Sequence, residues 1–186
     1  YIYAQFNNSD SRRYFFAPQV LNDWWHYFGT STTFIDFISY PFINFLNFNY
    51  EMMMLLFSWF GYIGFLYAYL FFRENIPIKI KVFGSMDFLL LVLFLPNMHF
   101  WTASLGKGAP IFMGLMMFAY AIKDSRGRWF TLFLASVIVY FIRPHVFMFV
   151  AVGTVIGYLT GREKISFGRK FLIIAIMVGG LIVVQD

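Results

Sequence analysis

Long uncharged apolar runs alternate with short charged connectors along the 186-residue chain, and this alternation predicts its elements. Met52 to Phe72 is the longest run, 21 residues. As a helix it would extend ~31 Å, enough to span the ~30 Å hydrocarbon core of a bilayer. Phe88 to Gly106 is interrupted by Pro96, Asn97 and His99, and Pro96 is expected to break its helix before it clears the membrane. Four shorter runs follow, Ala109 to Ile122, Trp129 to Ile142, Val146 to Thr160 and Phe171 to Val184. At 14 or 15 residues each, they need flanking residues, local thinning of the bilayer or burial against neighbours to cross. The pattern predicts an all-α, polytopic transmembrane helical bundle of about six spans. Merging Trp129 to Thr160 into one kinked helix would give ~48 Å, too long for a single crossing.

Residues 34–48, FIDFISYPFINFLNF, follow a different pattern. Asp36, Tyr40, Asn44, Asn47 and Glu51 recur at steps of three or four, which places them on one helical face, and Pro41 divides the segment. Two short helices lying in the outer interface are expected, preceded by an interfacial aromatic belt at Trp24, Trp25, His26 and Tyr27. The chain therefore divides into an outer-face segment, 1–51, and a transmembrane helical domain, 52–186. It opens at Tyr1 without a signal-peptide pattern and closes on an apolar run, which reads as part of a longer polytopic protein with a spanning helix before Tyr1.

Composition narrows the class. Charged residues make up 12% and hydrophobic residues 60%. A soluble fold of this size leaves about a third of its chain's surface exposed and has nowhere to hide so much apolar area. A soluble globular enzyme, a disordered chain and a nucleic-acid-binding protein are excluded. The absence of cysteine removes disulfides, thiolate metal sites and cysteine nucleophiles.

The net charge of +5 reports topology. With residues 1–51 outside, the cytoplasmic connections are 73–87, 123–128 and 161–170, and these hold ten of the 14 Lys and Arg residues. Arg12, Arg13, Lys107 and Arg143 remain on the outer side, as do His26, His99, His145, Asp10, Asp23 and Asp36. Polar groups that topology does not require thus gather on one face, where a site is expected.

Three features there carry chemistry. Arg143-Pro144-His145 joins two runs too short to cross comfortably, so it is expected to lie recessed below the outer surface. An Arg at membrane depth costs at least ~2.5–3.5 kcal/mol unless it meets an anion or water, and its guanidinium fork matches phosphate oxygens. Snorkelling of Arg143 to lipid headgroups is the competing reading. In the stretch from Pro96 to Gly108, His99, Ser104 and Lys107 are placed to face a polar substrate along a broken helix; an ordinary loop with a Lys–Trp interface anchor is the alternative. In the segment Asn7 to Tyr14, Asp10 stands beside Arg12 and Arg13, a carboxylate for general-base or metal work next to two anion-holding cations, or a solvated charge cluster. Asp23 and His26 are spaced for a surface salt bridge, and no conventional metal site is spelled out.

The stretches S-D-S-R-R-Y-F (9–15), L-P-N-M-H-F-W-T-A-S-L-G-K (95–107) and Y-F-I-R-P-H (140–145) together resemble segments of bacterial cell-surface polysaccharide synthesis proteins. That group includes exopolysaccharide and O-antigen polymerase-like proteins and membrane glycosyltransferases of the GT-C type. The resemblance implies an integral protein of the bacterial cytoplasmic membrane that transfers polyprenyl-phosphate-linked sugars to a glycan acceptor on the outer face. It implies catalytic roles for Asp10, which assists the acceptor hydroxyl, and for Arg143, which stabilises the leaving phosphate, with His145 orienting the phosphate or acceptor. Arg12, Arg13, His99 and Lys107 would bind the substrate. Gly108 departs from the pattern, which leads one to expect an acid after Lys107. No metal ligands or cofactor are assigned, and divalent-metal dependence and oligomeric state stay open. So do two alternatives, a transporter or flippase for a lipid-linked or anionic solute, and a non-catalytic membrane subunit.

Overall fold

A computed structural model describes residues 10–76, 81–82 and 86–160. The run at Phe171 to Val184, the basic connector 161–170 and Asn7 to Ser9 lie outside the described residues.

The described chain is predominantly helical. It opens with helix α1 (Asp10–Phe16) and two short 3₁₀ turns at Ala17–Gln19 and Trp25–Tyr27. Helix α2 (Thr32–Tyr40) follows and runs into a π-helical turn at Pro41–Phe45. The long helix α3 (Tyr50–Asn75) begins where the Asn49 side chain accepts the Met52 N–H at 2.8 Å, filling one of the unmatched donors of the first turn. It stops just before Pro77, which disfavours helical backbone at the residue preceding it. A two-residue antiparallel ladder pairs β1 (Lys81–Val82) with β2 (Met86–Asp87). Helix α4 (Phe88–Leu93) and helix α5 (Pro96–Thr102) are separated at Phe94 and Leu95, so the second apolar run breaks where Pro96 was expected to break it. Helices α6 (Gly108–Ile122), α7 (Trp129–Ile142) and α8 (Pro144–Thr160) complete the described order.

Only α3, among the described residues, is long and apolar enough to cross a membrane; α6, α7 and α8 are apolar but shorter. Helices α3, α6 and α7 pack as successive neighbours and form the centre of the bundle. Their backbones approach closely because glycines face the contacts. A Cβ on Gly64 would come within 2.6 Å of the Phe112 ring, one on Gly114 within 2.8 Å of Val139, and one on Gly61 would collide with the Thr102 carbonyl. Helix α8 is different: none of its described side chains is buried, and a Cβ on Gly153 would meet nothing within 4 Å.

The bundle has two distinct ends. At one, the Arg128 guanidinium donates twice to Glu74, at 2.8 and 3.0 Å, while Lys123 Nζ donates to the Glu74 carbonyl at 3.0 Å. The end of α3 and the α6–α7 connector, two of the expected cytoplasmic connections, therefore lie together. At the other end, Ser31 N donates to the Phe141 carbonyl at 2.6 Å and Leu105 N to Met54 Sδ at 3.2 Å. This brings residues 10–51, the loop 103–107 and the end of α7 to one place, as the sidedness of the charges requires. About 39 Å of helix, the length of α3, separates the two ends.

The largest hydrophobic core sits at this second end. Tyr14, Ile35, Ile43, Met53, Met54, Phe57, Leu105 and Ile142 pack together, joining the amino-terminal segment to the bundle. The polar face expected on residues 34–51 is turned inward in its first part. Asp36, Ser39 and Tyr40 are buried, and Asn44 Nδ2 donates to the Pro18 carbonyl at 3.0 Å, whereas Asn47 and Glu51 stay exposed. The reason is the segment 10–27, which covers that face; its Trp24 also stacks on Phe37 at 5.0 Å, while Phe45 of the helix pair and Trp25 of the covering segment stay exposed.

Helix contacts made through glycine give a direct test. Gly61→Leu should lower stability by about 1–3 kcal/mol, as overpacking does, read as a drop in thermal unfolding temperature of the detergent-solubilised protein. Gly153→Leu on the open face of α8 should not lower stability, and by helix propensity can raise it by up to about 1 kcal/mol.

Candidate functional site

A cavity of about 520 Å³ opens at the end of the bundle that holds the large core. Asp10, Lys107 and Arg143, drawn from three distant parts of the chain, all line it. Phe100, Trp101, Met54 and Leu105 supply apolar walls, and Ser11, Tyr14 and Ser104 add hydroxyls. Its floor reaches Met54, four residues and about 6 Å down α3 from Tyr50.

Each side chain is held for a local reason. Pro144 follows Arg143 and keeps it out of the helical region, so its backbone sits at φ −147°, ψ 86°. The Arg143 carbonyl still accepts Val146 N at 3.0 Å and Phe147 N at 3.1 Å, which starts α8 without a gap. Arg143 is exposed, and it is at the depth of the cavity rather than sunk in protein. Lys107 follows Gly106, whose φ of 154° is a conformation that residues with a side chain rarely adopt. That turn points Lys107 Nζ at Ser31 Oγ, 2.8 Å away. Ser31 is itself at φ 66°, fixed by its N–H bond to Phe141. Asp10 is exposed at the start of α1.

The electrostatics are those of a cationic pocket. Burial lowers the Lys107 ammonium below the usual lysine range, and the charges of Arg143 and Arg13 push it further down against the pull of Asp10 and Asp36. Burial raises the Tyr14 phenol above its ordinary range. Among the described residues the salt bridge is Arg128–Glu74 at the far end, so the cavity's cations are not paired off with carboxylates. A concave surface with aromatic walls, two converging cations and one carboxylate is suited to an anion with an apolar body.

The other expected site residues are distributed differently. Arg12 and Arg13 are exposed on α1 and do not line the cavity; Arg13 sits over the Tyr14 ring at 5.8 Å. His99 stacks on Phe65 at 4.2 Å, and its Nε2 is 2.9 Å from the Leu93 carbonyl, so it braces the break between α4 and α5. His145 is exposed at the second position of α8, outside the cavity lining. Asp23 does not meet His26 in an ion pair; its Oδ1 accepts Trp25 N at 3.1 Å. Among the described residues no three His, Asp or Glu side chains converge as a metal-holding group.

Three residues at this end were not singled out by the sequence for a role here: Tyr14 lines the cavity, and Ser31 and Asp36 act on its Lys107 without lining it. Tyr14 stood only as the end of the Asp10 cluster, Asp36 as one member of a polar face, and Ser31 in a Gly-Thr-Ser turn with no chemical signature. A second, shallower groove of about 350 Å³ begins beside the cavity. It shares Met54 and Ala103 with it and adds Glu51, Leu55 and Ser58 on α3. No family model matches the sequence, and no curated protein or solved structure matches it either.

The charge crowding has a measurable consequence. Because Arg143 depresses Lys107, Arg143→Gln should move the Lys107 titration upward, toward the ordinary lysine value. NMR of the ¹³C-methylated lysines over an alkaline pH series would follow it, and an unmoved Lys107 signal would contradict the geometry.

Proposed function

We propose that this cavity is the site of a membrane glycosyltransferase or polysaccharide polymerase. It would act on a polyprenyl-phosphate-linked sugar at the outer face of the bacterial cytoplasmic membrane, in a bundle of about six spans. The observation that carries the reading is the shared lining of Asp10, Lys107 and Arg143, residues singled out by the sequence alone, in one pocket walled by Trp101 and Phe100. The groove along α3, where Met54, Leu55 and Ala103 lie beside Glu51 and Ser58, adds support, because a prenyl chain leaving the cavity needs a largely apolar path toward lipid.

The chemistry follows from the donor set. The acceptor hydroxyl attacks the anomeric carbon while the Asp10 carboxylate takes its proton, and the bond from that carbon to the phosphate oxygen breaks. Lys107 and Arg143 stabilise the charge that develops on the departing phosphate. Phe100 and Trp101, 48% and 67% exposed, offer flat apolar faces on which a sugar ring can stack at the mouth. His145 and His99 have no contact role in this scheme, and Arg13 contributes through its field.

Reconstituted protein supplied with a polyprenyl-diphosphate sugar separates transfer from carriage. Asp10→Asn should lose about 10²–10⁴ in turnover while donor binding is kept. Arg143→Ala should lose both. Full glycan output from Asp10→Asn would remove Asp10 as the base, whereas wild-type protein that makes no glycan, yet binds the donor and loses that binding in Arg143→Ala, would falsify the transfer reading and leave a carrier for the same anionic lipid.

A further inference from the structure

Behind the cavity wall lies a group that the scheme above does not use. Asp36 is 3% exposed, its Oδ1 has no hydrogen-bond partner, and the Ser39 hydroxyl, 0% exposed, has none either. The two stand at i and i+3 on α2, one turn apart on a single face. A buried carboxylate with an oxygen left without a hydrogen bond is pushed toward its neutral form unless nearby charges compensate it. Here the compensation comes from Arg13 and Lys107, which favour the ionised form against burial; the balance holds the carboxyl at about 6. Lys107 also lines the cavity, so the charge state of Asp36 depends on what the cavity contains.

We propose that Asp36 is the proton-accepting partner of the cavity: an anion held by Lys107 and Arg143 enters together with a proton, which is taken up on the buried carboxyl. The inference rests on the anionic-ligand reading of the pocket and adds to it a coupling that direct contacts do not require. An anion among the cations cancels the field that keeps Asp36 ionised, and an O–H bond then forms at the carboxyl with a proton from solvent. The charges that act on it are Arg13 on α1 and Lys107 in the loop; Tyr14 on α1 feels its charge in turn, Asp10 and Arg143 act on Lys107, and Tyr40 lies on its own helix with Tyr27 packed against it. By reciprocity, protonated Asp36 must strengthen anion binding by the same factor that the anion strengthens protonation.

Sulfate is the probe, because it carries no titrating proton near neutrality. The full chain in lipid nanodiscs is titrated calorimetrically at pH 7 in two buffers of different ionisation enthalpy. Wild type should take up a fraction of one proton per sulfate, and its affinity should fall as pH rises from 6 to 8, by at most about tenfold per unit for a single proton. Asp36→Asn should bind sulfate at least as tightly at pH 7, without uptake, which separates this effect from the titration of Lys107. Thermal unfolding of that variant at or above the wild-type temperature at pH 7 would show its fold intact. Sulfate binding with buffer-independent heat in wild type, or uptake that persists in Asp36→Asn, overturns this inference and leaves the anion site standing. An absence of sulfate binding in wild type overturns both.

Discussion

Ser31 holds the cavity end together by being bonded twice. Its N–H donates to the carbonyl of Phe141 at 2.6 Å, and its hydroxyl receives the Lys107 ammonium at 2.8 Å. Three segments that are remote in sequence, the turn before α2, the loop before α6 and the last turn of α7, are thereby fixed to one another. The bond to Phe141 occupies a carbonyl in the last turn of a helix, where such groups lack intrahelical partners. It also holds Ser31 at a positive φ, a conformation costly for a residue with a side chain. Stacking of Phe34 on Phe141 at 4.8 Å reinforces the same junction. Leu105 and Ile142, buried in one core beside Lys107 and Arg143, bring the two cations to the same pocket from below.

The opposite end performs a different task with similar means. The bidentate Arg128–Glu74 pair is partly exposed, and pairs of that kind contribute at most about 1 kcal/mol. Its value is geometric: with Arg128 also 3.8 Å above the Tyr120 ring, it fixes where α3 ends relative to the α6–α7 connector. Between the two ends, the glycine contacts of α3 with α5 and α6, and of α6 with α7, leave little freedom to slide. The position of Met54 under the cavity is thus set from below as well as from above.

Much of this was legible in the sequence, for reasons that can be named. The boundaries of α7 at Trp129 and Ile142 coincide with the apolar run because charged residues flank it on both sides. The break at Pro96 follows from the missing N–H and the ring of proline. The joint placement of Asp10, Lys107 and Arg143 followed from charge sidedness, which needs no contact information. The burial of Asp36 was hidden, since a three-to-four-residue polar rhythm says which residues share a face but not whether water or residues 10–27 cover it. His99 misled because a histidine between apolar residues looks like chemistry, whereas its ring fills a stacking position on Phe65 and its nitrogen meets a carbonyl freed by the break. Ser31 gave no sign because its role lies in its backbone.

The dispersal of the pocket along the chain bears on how the protein is made. Asp10 and Arg143 are 133 positions apart in the sequence, so at roughly 5–20 residues per second the first emerges from the ribosome on the order of ten seconds before the second. Throughout that interval the Ser31 N–H before α2 has no Phe141 carbonyl to meet, and Lys107, one of the two charges that act on Asp36, arrives only late in it. The amino-terminal segment can pack on itself at once, but its junction with the bundle closes only when the last turn of α7 arrives.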